Sequence, residues 1–392
     1  MWLVFGFLLM MLTLPGVLEL ALLTLGGLLP ARARKPDNAA PALPLAILVP
    51  AHNEAAHLAR CLHSLQQAAN QTTTIIVIAD NCSDNTAELA RQSGVRVLER
   101  HNVTERGKGF ALAYAFDQLW PEAFAAFVIV DADTIVAPNF AAAMQARFAA
   151  GADAVQCRYG VLNAQDSPRT RLMNIALMAF NVLRPRGRDR WGLSAGLLGN
   201  GFGLSRATLA AVPYAAHSIV EDLEYHLKLV RAGRRVQFAG ETSVLADMPV
   251  AGAGVTTQRA RWEGGKLQML WQYAGGLLRE VCCGHWRLLE PLLELLLLPL
   301  AFHVALLLVT LGCAWLAPLG WLRAYAGAGL LLTVGHVAAA VIVGGGGWRD
   351  WLTLARAPFY ILWKLSLLRA IIRAARKETA WVRTERIESR KV

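Results

Sequence analysis

Asp131-Ala132-Asp133 sets two carboxylates on alternate positions directly after the apolar run Ala126 to Val130. On an irregular turn such a pair can reach one hard cation, and Mg²⁺ or Mn²⁺ would take those oxygens while keeping positions for phosphate and water. Turn chemistry also accounts for two aspartates, but an acidic pair closing a buried strand favours the metal. Asp80 likewise follows an apolar run, where it can accept from the N–H groups and hydroxyls of a nucleoside. Asn53 and Asp84, in the neighbouring loops, are explained as well by helix capping as by a site. Arg106-Gly107-Lys108-Gly109 could offer a flexible backbone and two cations to phosphate. It matches neither the Walker nor the dinucleotide glycine pattern, so an exposed basic turn explains it equally.

Two further clusters follow. Glu221-Asp222 opens a predicted helix, Asp222 to Val230, where a carboxylate is by default a cap. A general base acting on a hydroxyl must also be a carboxylate placed in a cleft. His226, one turn on, reads as a packed histidine. Gln258-Arg259-Ala260-Arg261-Trp262 could lie on a bilayer surface, with arginines snorkelling and Trp262 among headgroups. The alternative is that Arg261 pairs with a diphosphate and Trp262 forms a wall beneath a sugar ring.

The elements that must position these residues show a consistent pattern. Strands are predicted at Leu45 to Pro50, Thr74 to Ala79, Val95 to Leu98 and Ala126 to Val130, and helices at Glu54 to Gln67, Asn85 to Arg91 and Lys108 to Gln118. Apolar strands alternating with amphipathic helices imply an α/β fold, a mostly parallel sheet flanked by helices. In such sheets ligands bind beyond the carboxyl ends of the strands, where the acidic and Asn-rich clusters fall.

With 392 residues, 55% of them hydrophobic, the chain is long enough for one large domain plus membrane segments. Its net charge of +11 comes largely from basic residues after the first apolar segment and at the C-terminus, a placement that suits anionic lipid better than nucleic acid. Six cysteines without a CxxC pair indicate neither a zinc site nor a disulfide framework. Trp2 to Leu29 is long enough to span a bilayer, and the basic run Arg32, Arg34, Lys35 behind it puts the following residues in the cytoplasm. Glu19 within that span is either neutral or faces another helix. Leu292 to Leu316 and Ala324 to Val343, joined at Pro318-Leu319-Gly320, read as a spanning hairpin. Trp351 to Ile372 carries Arg356, Lys364 and Arg369 before a basic tail, and is read as an interfacial helix, since spanning would export that tail.

The order PAHNE, ADNCSDNT, RGKG, DAD, GNG at Gly199 to Gly201, VED and QRARW resembles the membrane-bound family-2 glycosyltransferases of GT-A fold, the branch of cellulose, chitin and hyaluronan synthases. The likeness covers about residues 45 to 265. It implies that Asp80 reads the uracil or ribose of a UDP-sugar, with Glu54 and Lys108 nearby, and that Asp131 and Asp133 hold the metal and diphosphate. It also implies Asp222 as general base beside Glu221, Gln258, Arg261 and Trp262 bordering diphosphate and acceptor, and Asn200 in a turn lining the acceptor pocket. Val220 stands where the family often has Thr. The organisation implied is a membrane helix with basic flank (1–35), a cytoplasmic catalytic domain (36–265), an interfacial region (266–290), a membrane hairpin (291–345) and an interfacial helix with basic tail (346–392). The expected product is β-linked, on a polysaccharide or other glycan. A lipid acceptor such as ceramide, diacylglycerol or polyprenyl phosphate is the rival, because three spans are few for a translocation channel unless the chain oligomerises or has an export partner. A nucleotidyltransferase would leave QRARW unexplained, and a silent adaptor would be expected to lack one of the acids.

Overall fold

A computed structural model describes residues 2–30, 43–216, 218–250, 253–316 and 319–376. The basic run Arg32 to Lys35, Pro318 and the tail from Lys377 lie outside them. The sheet has eight strands: β1 (Leu45–Ala51), β2 (Thr73–Asp80), β3 (Arg96–Arg100), β4 (Ala126–Ile129), β5 (Thr134–Val136), β6 (Ala154–Val161), β7 (Phe202–Ser205) and β8 (Val236–Ala246), in the order β3-β2-β1-β4-β7-β6-β8-β5. β1 to β4 run parallel, as do β6 and β8, while β7 is antiparallel to β4 and β6, and β5 to β8. The expected strands and helices appear within a residue or two of their predicted ends.

Both faces of the sheet are covered, which is why β1 and β2 are near-continuous apolar runs. Leu45, Ile47 and Val49 of β1 join a layer with Leu58 and Leu62 of α2 (Ala55–Ala68) and Phe140 and Met144 of α5 (Phe140–Ala149). Between these helices, α3 (Thr86–Gln92) and α4 (Lys108–Leu119) alternate with the first strands. Ala46 and Leu48 face the other way, onto Leu112 and Phe116 of α4, Leu209 of α8 (Arg206–Ala211) and Tyr225 of α9 (Glu221–Arg231). Period-two alternation thus builds two layers from one strand.

α1 (Trp2–Leu28) packs along α7 (Arg184–Trp191), which continues α6 (Pro168–Met178) through a π turn, Ala179–Leu183. Glycines allow this close approach: a Cβ on Gly187 would lie 2.4 Å from the Leu23 carbonyl oxygen. α10 (Ala253–Cys282) leads from the sheet to α11 (Leu289–Leu296), α12 (Leu300–Leu316) and α13 (Gly320–Gly344). Leu3–Leu28 and Gly320–Gly344 are long and apolar enough to cross a membrane. The span expected at Leu292 to Leu316 is bent by 79° between α11 and α12. Pro299 has no N–H to continue the helix, and Leu297 is already extended at ψ 110.

The segment read as one interfacial helix folds as three, α14 (Trp348–Leu354), α15 (Ala357–Ser366) and α16 (Leu368–Arg376). Turns at Ala355–Arg356 and Leu367 let α16 lie against α10 while α15 reaches α12. Lys364 is buried and paired with Glu263 of α10 instead of reaching a headgroup. Glu19 does face other helices. It is fully buried, 3.1 Å from Arg188 of α7, which also pairs with Glu290 and Glu294 of α11. Lys266 of α10 bonds Glu294 at 3.2 Å, so four elements meet in one ion network. The three carboxylates converge within 4.8 Å of one another, close enough to share a metal, but Arg188 already supplies the cation.

Candidate active site

Every predicted site residue except Asn200 lines a single cavity of about 1600 Å³ beyond the carboxyl ends of β1, β2 and β4. The loops at those ends brace one another. Asn53, at φ 55, accepts from the Ser83 and Asp84 N–H groups at 2.8 and 3.3 Å, and Asp84 accepts from Thr86 and Ala55 at 3.0 and 3.2 Å. Asn53 thus braces the loop ahead of α3 instead of capping a helix, while Asp84 holds the first N–H groups of both α2 and α3.

Asp80 ends β2, with its Oδ1 held by Arg100 Nη1 at 2.9 Å and Asn81 Nδ2 at 3.0 Å. The register pairs Asp80 with Arg100 across β2 and β3. Sequence reasoning missed Arg100, whose only signal was a cation just past the end of the next predicted strand. Arg100 also donates to the Glu105 backbone at 2.7 Å and so shapes the loop ahead of Arg106. Gly107, at φ 121, turns that loop into α4 and places Lys108 in its first turn.

Lys108 joins the two ends of the site. Its Nζ donates to Asp131 Oδ1 at 2.5 Å and to the Gly199 carbonyl. Burial opposes its charge, but Asp131, Glu221 and Asp222 outweigh that and raise its pKa above the usual lysine value. Gly199 and Gly201 sit at φ 77 and 66, open to glycine at little cost. A Cβ on Gly199 would come within 3.2 Å of Asp222 Oδ2, and one on Gly201 within 2.5 Å of Cys157 Sγ.

Asn200 between them was expected in the acceptor pocket, and the structure places it behind the Asp131 turn instead. It is 1% exposed, accepts from the Asp131 N–H at 3.1 Å and donates to Thr134 Oγ1 at 2.8 Å. Its side chain fixes the turn that carries Asp131 and Asp133. Those two line the cavity, and such a carboxylate pair suits Mg²⁺ or Mn²⁺ completed by phosphate and water.

Glu221 and Asp222 start α9 facing the same space. Asp222 Oδ1 accepts from the Leu223 N–H at 2.9 Å. Burial, then the charge of Asp222, pushes Glu221 up to about 7, and burial raises Asp222 as well. His226 is packed as expected: it bonds Ser194 Oγ at 2.9 Å, and burial lowers it to about 3. Gln258, Arg261 and Trp262 line the cavity from α10, and Trp262 packs by Tyr159, Met173 and Met248. The run therefore faces the site.

The family model described as "Glycosyltransferase like family 2" matches residues 41–265. Probable glycosyltransferase YdaM of Bacillus subtilis (strain 168) is 24% identical over 234 residues, which are 56% of this chain and 54% of YdaM. The chain thus spans about half the length of that relative. The mannosyltransferase PcManGT of Pyrobaculum calidifontis, solved with GDP-Man and Mn²⁺, superposes with TM-score 0.55 at 16% identity, covering 96% of this chain and 97% of that one. Glucosyl-3-phosphoglycerate synthase of Mycobacterium tuberculosis, solved with Mn²⁺ and UDP, gives 0.40 at 21% identity over 60% and 88%. With the family model covering more than half of its length and a GT-A-like sheet beneath its carboxylates, the chain belongs to the family-2 glycosyltransferases.

Proposed function

We propose that this enzyme moves a sugar, with inversion, from a UDP-sugar to an acceptor hydroxyl at the cytoplasmic face of a membrane. The observation that carries this reading is the Lys108 bridge, which joins Asp131 of the donor end to the Gly199 turn lying against Asp222. Asp80 keeps Oδ2 for the nucleoside while Arg100 and Asn81 hold Oδ1. Asp131 and Asp133 would hold Mg²⁺ or Mn²⁺, which when bound supplies positive charge for the diphosphate. Arg261 adds its guanidinium at the same end, favouring departure of UDP in a cleft poor in water. Asp222, with Oδ1 committed to the Leu223 N–H, offers Oδ2 to take the acceptor proton. The oxygen then attacks the anomeric carbon opposite UDP, so an α-linked donor gives a β-linked product.

The test supplies protein in membranes with radiolabelled UDP-sugars and GDP-mannose, with Mn²⁺ or EDTA. Metal-dependent transfer from a UDP-sugar is expected, and Asp222→Asn should lower it about 10²- to 10⁴-fold with UDP affinity retained. Unchanged transfer by Asp222→Asn would sink the mechanism, and transfer from GDP-mannose alone would sink the donor assignment.

A further inference from the structure

The cavity continues well past the residues that the proposed transfer uses. Beyond Trp262 its wall is Ile175 and Phe180 of the α6 segment, Val304 of α12, Val334 and Val337 of α13, and Ile361 of α15. Its total of about 1600 Å³ exceeds the roughly 300–1,000 Å³ of an ordinary ligand site, so a nucleotide-sugar leaves much of it unfilled. The far end opens on the apolar face of the membrane helices: Val334 lines it and is 67% exposed, and Trp351 lines it and is 43% exposed. One continuous space therefore joins the Asp222 carboxylate to a side of the molecule that faces hydrocarbon.

Resting on the transfer reading above, we propose that the acceptor is a neutral membrane lipid with a free headgroup hydroxyl, its chains lying between α13 and α15. That wall is mostly aliphatic, so acyl chains can pass onto it from bilayer hydrocarbon, whereas a sugar chain would lose most of its hydrogen bonds to water there. Charge selects the headgroup. Glu221 and Asp222 meet it with two carboxylates, which repel a phosphate but can deprotonate a hydroxyl. At the junction of the two halves, Lys266 is paired with Glu294 and Lys364 with Glu263. Arg184, 6% exposed, lies there too, its Nη1 4.0 Å from Glu294 and its guanidinium stacked over Phe180 at 5.3 Å, and its Nε has no hydrogen-bond partner among the described residues. An ester or amide carbonyl just below a lipid hydroxyl is the acceptor that this Nε lacks.

The experiment uses the full chain in mixed micelles with Mn²⁺ and the UDP-sugar panel, offering dioleoylglycerol, a short-chain diacylglycerol or polyprenyl phosphate. Dioleoylglycerol should take sugar into the organic phase at least about tenfold faster than the short-chain analogue, and Val337→Trp should raise its KM about tenfold. UDP affinity of the variant checks its folding, and Ala338→Phe, one residue along α13, serves if Val337→Trp loses that affinity. Label only in water-soluble product, no dependence on chain length, preference for the phosphate lipid, or wild-type KM in both variants would overturn the proposal. UDP released into water without lipid product overturns the lipid acceptor alone. No UDP release with any donor removes the transfer reading and this one together.

Discussion

Asn200 shows how a short motif can mislead about the role of its central residue. Sequence spacing identifies the Gly199-Asn200-Gly201 turn as part of the site, but only packing reveals that the amide points at the Asp131 backbone and Thr134. A residue that orients metal ligands acts through them, so Asn200→Ala should weaken Mn²⁺ affinity about 10- to 100-fold while leaving metal-independent nucleotide binding intact. Calorimetric titration of Mn²⁺ into wild type and variant would decide it, and equal affinities would leave Asn200 with no positioning role. Glu221 makes a second prediction. Its folded pKa of about 7 lies above the ordinary 4.5, so the folded state binds the extra proton between those values. Stability from this group is complete below pH 4.5 and falls as pH rises through 7, the reverse of a salt-bridged carboxylate. Glu221→Gln should thus melt higher than wild type above pH 7 and no higher below pH 4.5, in EDTA so that no cation adds its own charge. Parallel melting curves across that range would contradict it.

At the scale of elements, the joint between α1 and α7 depends on the absence of side chains. Gly187 approaches Leu23 so closely that its Cβ would lie 2.4 Å from a backbone oxygen, which cannot swing away as a side chain could. Gly187→Leu should force the helices apart and cost more than the roughly 1–3 kcal/mol typical of overpacking. Since the Trp191 Nε1–H bonds the Leu22 carbonyl at 2.8 Å, the same variant should shift Trp191 fluorescence along with the melting temperature. A wild-type melting curve would show that the joint yields easily. The element boundaries of the soluble half were legible in sequence because two-sided apolar strands and amphipathic helices have distinct periods. The apolar helical half was less legible. Hydropathy measures length and apolarity but not direction, so the 79° bend before Pro299 and the division of residues 348–376 into three helices escaped it.

For the whole molecule, the Arg188 network and the shared cavity make the sheet and the long apolar helices one mechanical unit. Glu19 of α1, Glu290 and Glu294 of α11 and Lys266 of α10 converge on or beside Arg188, so these elements cannot separate without exposing buried charge. The proposed cytoplasmic orientation predicts where thiols react. Cys282 and Cys283 are exposed at the end of α10, on the side of the catalytic domain. A membrane-impermeant maleimide should label them only after intact cells are permeabilised, and labelling of intact cells would invert the topology. The sequence alone determined the family, the α/β class and the two long apolar helices, and of the residues it named for the site all but Asn200 line the cavity. Those follow from local chemistry: strand and helix periodicity, and acids placed at strand ends. Tertiary structure decided that Arg100 completes Asp80, that Asn200 supports the metal turn, that Lys108 links donor acid to acceptor turn, and that the cavity runs on between α13 and α15. Each of these joins residues far apart in the chain, and such contacts depend on how the elements pack, which no spacing along the sequence records.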